Sequence, residues 1–528
     1  MPIINNKHFK AFVILLSLLI LSIMLYFSWP FTVDDAFIAF RYSSHLAAGY
    51  GLTWNPGYAP VEGYTTFLWT VLMTIPHIIG FDPVIFSKIF GVLSTIIFIY
   101  ISSLFVSRLT KDLFSKAIPI AELFVILLLS LFPVTSIHAI SGMETAFFTM
   151  LLTLFLYLTY VCLNDFSLKN IIFLSLAGLL VGLTRPDGNL AVIVGLFSLL
   201  VVLPKDKRRA LIGVVSIFYL FPGAIYFIWR YTYYGHLFPL SFYLKVGSSS
   251  FLAGKYRVLT FIVYLATHIG VLIFFALKKL NKCLIPALFS VASLWLFFIF
   301  PRHLMGYLWR FLFPTVPFLF SIASLGVAVL WTEVRLRAKS GFSIAKIMLI
   351  FPILIPIFFL AEAYIAIKPK YEVGLKNQLY YSLGKKLNQF CSSDYSKILV
   401  SGDAGAIPYY SRWLVLDPVG LNDNYLSTGI DYEPYSVNDS LTTTKLNNYI
   451  FSHKPDLIIL ISTKRSVFVP KFPVMKVIFD KCIREGMVII KRLEFFEDYN
   501  LFLLVHPQSS IARHLENWNY NENPCAKY

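Results

Sequence analysis

Long runs of apolar residues dominate the first two thirds of the chain. Apolar and polar positions do not alternate within these runs, so they indicate helices rather than the strands of a barrel. Their length predicts eleven membrane-spanning helices, at residues 9–30, 83–107, 118–137, 144–163, 170–184, 188–203, 210–231, 257–277, 283–301, 311–331 and 344–367. Only helices and closed barrels satisfy the backbone polar groups in lipid. The pattern therefore predicts a multi-pass α-helical membrane protein.

A further apolar run, residues 64–80, is short and contains Pro76 and His77. If this run lies on the membrane surface, roughly twice as many Lys and Arg residues fall on the side of the amino terminus as on the opposite side. If the run crossed the membrane, every later loop would change sides and this bias would disappear. Because positive residues are enriched in cytoplasmic loops, we expect a cytoplasmic amino terminus and an outer first loop, residues 31–82, with juxtamembrane helices.

The pattern changes after residue 367, where charges become frequent and the apolar runs shorten. Four short runs that end in turn residues predict strands: KILVSGDAG (397–405), DLIILIST (456–463), MVIIKRL (487–493) and FLLVHP (502–507). Helix-like stretches such as 374–390 lie among them. We therefore expect a membrane domain, residues 1–367, followed by a soluble extracytoplasmic α/β domain, residues 368–528.

Composition and charge support this organisation. Of the 528 residues, 57% are hydrophobic and 14% are charged, whereas soluble proteins carry about 25% charged residues. The net charge of +17 would suit a nucleic-acid partner, but most Lys and Arg residues lie in short loops between the apolar runs, where they set membrane orientation. The predicted partner is therefore the lipid bilayer, and no nucleic-acid partner is expected.

Polar residues that suit chemistry concentrate in the predicted outer loops. Charges near membrane depth are costly and usually functional. Asp34 and Asp35 stand together in FTVDDAFIAFRY (31–42), at the predicted start of a helix, where an acid also stabilises the helix dipole. A capping role therefore remains open for either acid. The wider set of candidates is Arg41, Glu62, Glu144, Arg185, Asp187, His236, Tyr243, Lys245, Arg302 and Arg310.

One carboxylate with several cations at a lipid surface suits the transfer of a sugar from a polyprenyl phosphate. The phosphate leaving group needs cations and hydrogen-bond donors rather than a general acid. One Asp suffices as the base for the acceptor hydroxyl, whereas hydrolysis of a glycoside needs two carboxylates at a fixed separation. The candidates for the phosphate are Arg185, Lys245, Arg302 and Arg310.

Structural explanations exist for several of these residues. Arg185 and Asp187, in GLTRPDG, also suit a tight turn with an arginine that reaches the headgroups. Glu144 also suits a helix start. His236, Tyr243 and Lys245 lie in an aromatic stretch that suits either an interfacial belt or the wall of a groove for a lipid or a sugar.

A divalent cation between Asp34, Asp35 and Glu62 is the metal site that we considered, and we do not favour it. The sequence contains neither HExxH nor a phosphate-binding loop of the type GxxxxGK[ST]. No cofactor is therefore expected. Two other functions remain as alternatives: a transporter of lipids or polysaccharides, and a non-catalytic scaffold of the cell envelope.

Several stretches resemble one family of membrane enzymes. The first loop, DDAFIAFRYSSHLAAGYGLTWNPGYAPVEGYTTFLW, resembles that of integral-membrane GT-C glycosyltransferases, and the nearest subgroup is the bacterial terminal arabinofuranosyltransferase-like proteins. Further matching pieces follow in the expected order: SGMETAFF (141–148), GLTRPDG (182–188), YYGHLFPLSFYLKV (233–246), RFLFPTVPFL (310–319) and SGDAGAIPYYSRWLVLDPVGLND (401–423).

The resemblance implies a GT-C fold in a bacterial plasma membrane and a polyprenyl-phosphate sugar as the donor, with a pentose suggested by the subgroup. It maps the catalytic base onto Asp34, and it gives Asp35 the role of orienting the acceptor or the base. The expected reaction is an inverting transfer to an extracytoplasmic glycan or glycolipid of the cell envelope. Arg41, Glu62, Glu144 and Asp187 are expected to support this site.

Overall fold

A computed structural model describes residues 7–111, 118–245, 254–301, 306–336, 350–390, 393–429, 440–496 and 498–518. Its first part is helical. In chain order the helices are α1 (Lys7–Ser28), α2 (Ala36–Ala47), α3 (Phe67–Leu72), α4 (Thr74–Ile79), α5 (Pro83–Lys111), α6 (Ile118–Leu131), α7 (Pro133–Ile140), α8 (Thr145–Asn164), α9 (Leu168–Thr184), α10 (Pro186–Val202), α11 (Lys205–Val215), α12 (Phe221–Tyr234), α13 (Leu240–Lys245), α14 (Lys255–Leu277), α15 (Ile285–Phe297), α16 (Val316–Leu336) and α17 (Phe351–Asn388).

The helices confirm a multi-pass membrane protein. Within the described ranges, seven helical segments are long and apolar enough to cross a membrane, and the bent pair α6–α7 makes up to eight. The predicted spans 170–184, 188–203 and 283–301 form shorter apolar helices, at Leu168–Thr184, Pro186–Val202 and Lys282–Phe297. For these three, crossing stays a prediction. Residues 344–349 of the last predicted span lie outside the described residues.

Two proline positions interrupt helices that the sequence predicted as single spans, at 118–137 and 210–231. Pro133 begins α7, and α6 and α7 meet at an angle of 60°, because proline removes a backbone donor and clashes with the preceding turn. Before Pro222, the chain makes a π-helical turn at Ser216–Leu220 between α11 and α12, another device that bends helices. The bend at Pro133 carries the chain toward the first loop, where the N–H of Val33 donates to the carbonyl of Ser141 at 2.9 Å.

The predicted juxtamembrane run forms α3 and α4. Together they span Phe67–Ile79 and are shorter than the helices that are long and apolar enough to cross a membrane. The preceding helix α2 is almost wholly buried between the membrane helices and the carboxy-terminal part. An ion pair anchors the end of this loop, because Glu62 accepts from Arg230 of α12 at 2.6 Å and 2.9 Å. The first loop is thus a folded part of the protein core.

The carboxy-terminal part is a mixed α/β layer. Its strands are β1 (Ile398–Ser401), β2 (Leu414–Leu416), β3 (Leu457–Ser462), β4 (Val488–Phe496) and β5 (Tyr499–Val505), in the order β2-β1-β3-β5-β4. β1 is parallel to β2 and β3, whereas β5 is antiparallel to β3 and β4. The helices between and after the strands are α18 (Ala406–Ser411), α19 (Ser440–Ser452), α20 (Pro473–Arg484) and α21 (Ser510–Glu516). An α/β domain follows the membrane helices, as predicted.

The first loop covers the edge of this sheet. The side-chain amide of Asn55 donates to the carbonyl of Val415 at 2.9 Å and accepts from the N–H of Val415 at 3.0 Å. It therefore takes the place of a neighbouring strand beside β2, whose free edge would otherwise expose unpaired backbone groups. The single helix α17 joins the two parts, and the predicted boundary at residue 367 falls inside it.

Gly326 of α16 permits the close approach of α14. A Cβ at this position would lie closer than 3 Å to the carbonyl of Leu272. Gly326→Ala should therefore lower the free energy of unfolding by about 1–3 kcal/mol, the usual cost of overpacking. Gly223→Ala in α12, where nothing lies within 4 Å, should be neutral or slightly stabilising. Melting curves of the two variants in detergent measure the difference, and equal melting temperatures would contradict the packing.

Candidate active site

A cavity of about 400 Å³ lies between the first loop, the starts of α8 and α10, and the turn before α16. We call it the first-loop cavity. The carboxy-terminal domain contributes Leu421 to its wall. The charged residues that line it are Asp35, Glu144, Arg185, Asp187 and Arg310, and its aromatic residues are Tyr64, Trp69, Phe238, Phe242, Phe297, Phe298 and Phe311. Most of the wall is therefore apolar, with the charges gathered on one part.

The charged wall alternates in sign. Arg310 donates to both oxygens of Glu144, at 2.9 Å and 3.2 Å. Arg185 donates to both oxygens of Asp187, at 3.0 Å and 2.8 Å, and its Nη1 lies 3.8 Å from Glu144 Oε1. Glu144, Arg185 and Arg310 are all buried, at 1%, 2% and 6% exposure. One carboxylate thus holds two guanidinium groups beside the cavity.

Two donors in this wall have no hydrogen-bond partner. Within the part of the chain that the structure describes, Nη1 of Arg185 and Nε of Arg310 are buried without an acceptor. A buried donor without a partner costs about 1–3 kcal/mol, and more for a charged group. The guanidinium of Arg185 also lies 4.6 Å from the ring centroid of Phe148 and 4.8 Å from that of Phe311. Both arginines line the first-loop cavity, and an anion with acceptor oxygens is the kind of ligand that suits such donors.

Local sequence explains how these side chains reach the cavity. Arg185 precedes Pro186, and a residue before proline avoids the helical region. Its backbone is accordingly extended (φ −149°, ψ 135°) between α9 and α10. Gly142 has φ +80°, and a Cβ there would press on Ala36 and Thr32 of the first loop. The turn that carries Glu144 therefore packs directly beside the two aspartates.

The structure separates the two aspartates. Asp35 lines the first-loop cavity, and its side chain makes no capping hydrogen bond to α2. Asp34 is not among the lining residues. Its Oδ1 accepts from the N–H of Ala406 at 2.9 Å, in the turn that follows β1. The carboxylate that sequence reasoning chose as the base thus contacts the carboxy-terminal domain, and its neighbour faces the cavity.

Asp34 also lies near a second acid. Asp403, in the same turn, accepts from the hydroxyls of Tyr380 and Tyr499, each at 2.6 Å. Burial, and then the charge of Asp403, raises the pKa of Asp34 to about 8. Burial likewise raises the pKa of Asp403. At neutral pH Asp34 therefore holds a proton for much of the time.

The structure takes other predicted residues away from the aspartates. Arg41, which was expected to support the site, has other hydrogen-bond partners. It donates instead to Asn55 and to the carbonyls of Trp54, Pro408 and Trp413.

Glu62 pairs with Arg230, so it does not complete a cation site with Asp34 and Asp35. No group of three or more His, Cys, Asp or Glu side chains suits a metal within the described ranges.

Of the other residues predicted to bind the donor, two lie outside the cavity lining and two have side chains that the structure does not describe. His236 contacts Asn424 Oδ1 through Nε2 at 2.7 Å, and Tyr243 is half exposed. Neither lines the cavity. Lys245 ends α13, but its side chain lies outside the described atoms, as does the whole of Arg302.

The aromatic stretch contributes different residues from those predicted. Phe238 and Phe242 line the cavity, and their rings stack with centroids 4.4 Å apart. Phe238 precedes α13 and Phe242 lies in its first turn, so the bend at the start of the helix brings the two rings together. The sequence carried no periodic signal for this pair, and its polar neighbours His236 and Tyr243 do not line the cavity.

Comparisons with known proteins agree with this architecture. A family model described as a domain of unknown function (DUF8728) matches residues 372–510, and no curated protein sequence matches the chain significantly. The chain resembles ArnT from Cupriavidus metallidurans bound to undecaprenyl phosphate, with a TM-score of 0.61 and 12% identity over 96% of this chain and 99% of that chain. Apo ArnT gives a TM-score of 0.58 at 12% identity, over 93% and 97% of the two chains.

Archaeal oligosaccharyltransferase AglB from Archaeoglobus fulgidus, in complex with an inhibitory peptide and a dolichol-phosphate, gives a TM-score of 0.46 at 11% identity, over 84% of this chain and 69% of that chain. The full-length likeness to ArnT shows that the fold is GT-C-like, as the sequence predicted. At 12% identity this likeness extends to the fold alone. The arabinofuranosyl specificity that the sequence suggested stays a prediction.

Neutralising Glu144 tests the charged wall. Glu144→Gln keeps the shape but leaves Arg185 and Arg310 buried without a shared anion, which should lower the free energy of unfolding by about 3–5 kcal/mol. The matched control is Glu494→Gln, which removes an exposed pair with Arg465 at 2.8 Å and should cost at most about 1 kcal/mol. Denaturation in detergent compares the two variants. Equal losses would show that Glu144 does not hold the two arginines.

The raised pKa of Asp34 predicts a pH dependence of stability. The folded chain binds this proton more tightly than an ordinary carboxyl of pKa 3.8 does, so the free energy of unfolding should fall as pH rises from about 4 to about 8. Asp34→Asn should flatten part of this fall. Burial also raises the pKa of Asp403, Asp417 and Asp423. These three carboxyls should account for the rest of the loss of stability with rising pH. Melting temperatures across this range measure the slope.

The control for this pH series is Asp498→Asn. Lys471 lowers the pKa of this exposed carboxyl, so its loss should leave the slope between pH 5 and pH 8 unchanged. A slope that is the same in Asp34→Asn and in the unmodified chain would contradict the buried environment assigned to Asp34.

Proposed function

We propose that this protein is a membrane glycosyltransferase that moves a sugar from a polyprenyl phosphate to an extracytoplasmic acceptor. The observation that carries the proposal is the pair of buried, unpartnered donors, Arg185 Nη1 and Arg310 Nε, beside a cavity that also holds Asp35. The likeness to ArnT bound to undecaprenyl phosphate supports the class of donor.

Arg185 and Arg310 are the proposed ligands of the donor phosphate. Their free N–H groups suit phosphate oxygens, since charge-assisted hydrogen bonds from arginine are strong and directional. Glu144 and Asp187 hold the two guanidinium groups in place, so that little reorganisation is needed as charge develops on the leaving phosphate. Lys245 and Arg302 stay proposed as further phosphate contacts from the neighbouring loops.

Asp35 is the proposed general base. It faces the cavity, whereas Asp34 accepts a hydrogen bond from the carboxy-terminal domain. In the reaction, the acceptor hydroxyl gives its proton to the Asp35 carboxylate, and the acceptor oxygen forms a bond to the anomeric carbon. The bond from that carbon to the phosphate oxygen breaks, and the phosphate leaves with the electron pair. Attack opposite the leaving group inverts the anomeric carbon. Asp34 then acts by positioning the loop that carries Asp35.

The aromatic wall suits the rest of the donor. Phe238, Phe242, Phe298 and Phe311 offer apolar surface for the first isoprene units and for the C–H faces of a sugar ring. We propose a bacterial plasma membrane as the location and an envelope glycan or glycolipid as the acceptor. The sequence resemblance suggests a pentose as the sugar.

Release of undecaprenyl phosphate tests the reaction. Membrane vesicles that contain the protein would receive undecaprenyl-phosphate pentose, aminopentose or hexose, and mass spectrometry would quantify the released lipid phosphate. Asp35→Asn should lower the rate by at least about 100-fold, as expected for loss of a general base. Asp34→Asn should lower it less. Asp480→Asn, an exposed acid on α20, should leave the rate unchanged.

The variants also separate binding from catalysis. Asp35→Asn should still bind undecaprenyl phosphate, whereas Arg185→Gln and Arg310→Gln should bind it more weakly. Full activity in Asp35→Asn, together with its loss in Asp34→Asn, would return the role of base to Asp34. No release from any of the donors would contradict the transferase.

A further inference from the structure

A second cavity, of about 380 Å³, lies on another side of α2. We call it the lateral cavity. Its walls come from the carboxy-terminal half of α2, from α4, from the end of α17 and from the segment 394–412 of the carboxy-terminal domain. Among the residues that the structure describes, none lines both this cavity and the first-loop cavity. Its size falls within the range of about 300–1,000 Å³ that ligand sites occupy.

Aromatic rings form much of the lateral cavity. Tyr50, Tyr395, Tyr409 and Tyr410 line it, and Tyr50 is 52% exposed. The rings of Tyr50 and Tyr395 meet edge to face, with centroids 6.1 Å apart. Tyrosine combines an apolar face with a hydroxyl that forms hydrogen bonds. A ring that carries C–H groups on its faces and hydroxyls on its edge, such as a sugar, matches both properties.

The charge of the lateral cavity is positive. Arg41 lines it and is 1% exposed. Its partners are three backbone carbonyls and the amide oxygen of Asn55, so among the described residues no carboxylate pairs with it. Lys385 and Arg412 add two exposed cations. Such a surface raises the local concentration of anions.

Other titratable groups leave this positive charge in place. Among the described residues that line the cavity, the one carboxylate is Asp394. It pairs with Arg412 at 3.2 Å, and both partners are about half exposed, so solvent screens the pair. Burial lowers the pKa of His45 to about 3 and that of His77 to about 4, so both are neutral. Nε2 of His77 is buried without a partner in the described residues and offers one more polar contact.

The backbone of this cavity is strained at two places. Tyr395 has φ +63° and Arg412 has φ +54°, and the N–H of Tyr395 donates to the carbonyl of Arg412 at 2.8 Å. Residues other than glycine rarely adopt this left-handed region, and such strained residues are concentrated at binding and active sites. Here the two strained residues support each other, and both present their side chains to the cavity.

We propose that the lateral cavity binds an anionic saccharide, with the sugar ring against Tyr50 and Tyr395 and a phosphate or carboxylate group toward Lys385 and Arg412. The buried charge of Arg41 adds to the attraction. This inference does not depend on the proposed reaction. The ligand belongs either to a lipid headgroup or to a soluble glycan. The exposed Ile78 and Ile79 of α4, the helix that contributes His77 to the cavity wall, would suit a nearby lipid surface.

Binding to the full chain in detergent tests the proposal. The probes are glucose 1-phosphate, glucuronic acid, glucose and inorganic phosphate, measured by isothermal titration calorimetry. The two anionic sugars should bind at least ten times more tightly than either glucose or inorganic phosphate. Equal affinity for inorganic phosphate and glucose 1-phosphate would overturn the proposal, since charge alone would then explain the binding.

Matched variants locate the site. Lys385→Gln with Arg412→Gln should weaken binding of glucose 1-phosphate at least tenfold, and Tyr50→Ala should weaken binding of both anionic sugars. Lys386→Gln changes the next lysine of α17, which does not line the cavity, and should leave binding intact. An equal loss in Lys386→Gln would contradict the site. If the double variant fails to elute as a folded protein, the affinity of Tyr50→Ala for the two anionic sugars tests the site, and unchanged affinity would overturn the proposal.

Two further measurements separate this site from the first-loop cavity and identify the source of the ligand. Arg185→Gln, which removes a proposed phosphate contact of the first-loop cavity, should bind glucose 1-phosphate as the unmodified chain does, whereas loss of binding would place the ligand in the first-loop cavity and overturn the proposal. Nanodiscs with phosphatidylinositol should displace glucose 1-phosphate if the natural ligand is a headgroup. Retention of glucose 1-phosphate in such nanodiscs would assign the site to a soluble glycan.

Discussion

The buried carboxylate of Glu144 joins guanidinium groups from two distant parts of the chain. Taking three charges out of water is costly, and only close pairing offsets the cost. The turn after α7, the Arg185 turn between α9 and α10, and the segment before α16 must therefore stay within a few ångströms of one another. The shape of the first-loop cavity depends on this contact, and so does the position of the two donors that lack partners.

Hydrophobic pattern was enough to predict the helical membrane part, the later α/β part and the concentration of charge in the loops. It missed features that depend on partners far along the chain. The short strand β2 becomes a strand because β1 and the side chain of Asn55 pair with it. The bend at Pro133 arises from a local residue, but the apolar run continues on both sides of it, so the hydrophobic pattern predicted a single span. The membrane pattern also gave no sign that a domain more than 300 residues later would bury α2.

The division between Asp34 and Asp35 shows the same limit. Adjacent residues at a helix start point in different directions, so sequence reasoning could give them different roles but could not say which faced the cavity. The turn after β1 decides this, because its backbone N–H holds Asp34. Arg41 was expected to support the same site as the aspartates. Carbonyl groups of the carboxy-terminal domain attract it to another side of α2, where it helps to form a separate positively charged cavity.

The contact between Arg41 and Pro408 joins residues that are 367 positions apart. A ribosome adds about 5–20 residues per second, so the first loop leaves the ribosome on the order of 20 to 70 s before its partner exists. During that interval Arg41 and the side-chain amide of Asn55 can form hydrogen bonds only with water, lipid headgroups and the part of the chain already made. The loop therefore reaches its final shape last, although it is made among the first, and a chain interrupted before β2 would present an unfinished loop at the membrane surface.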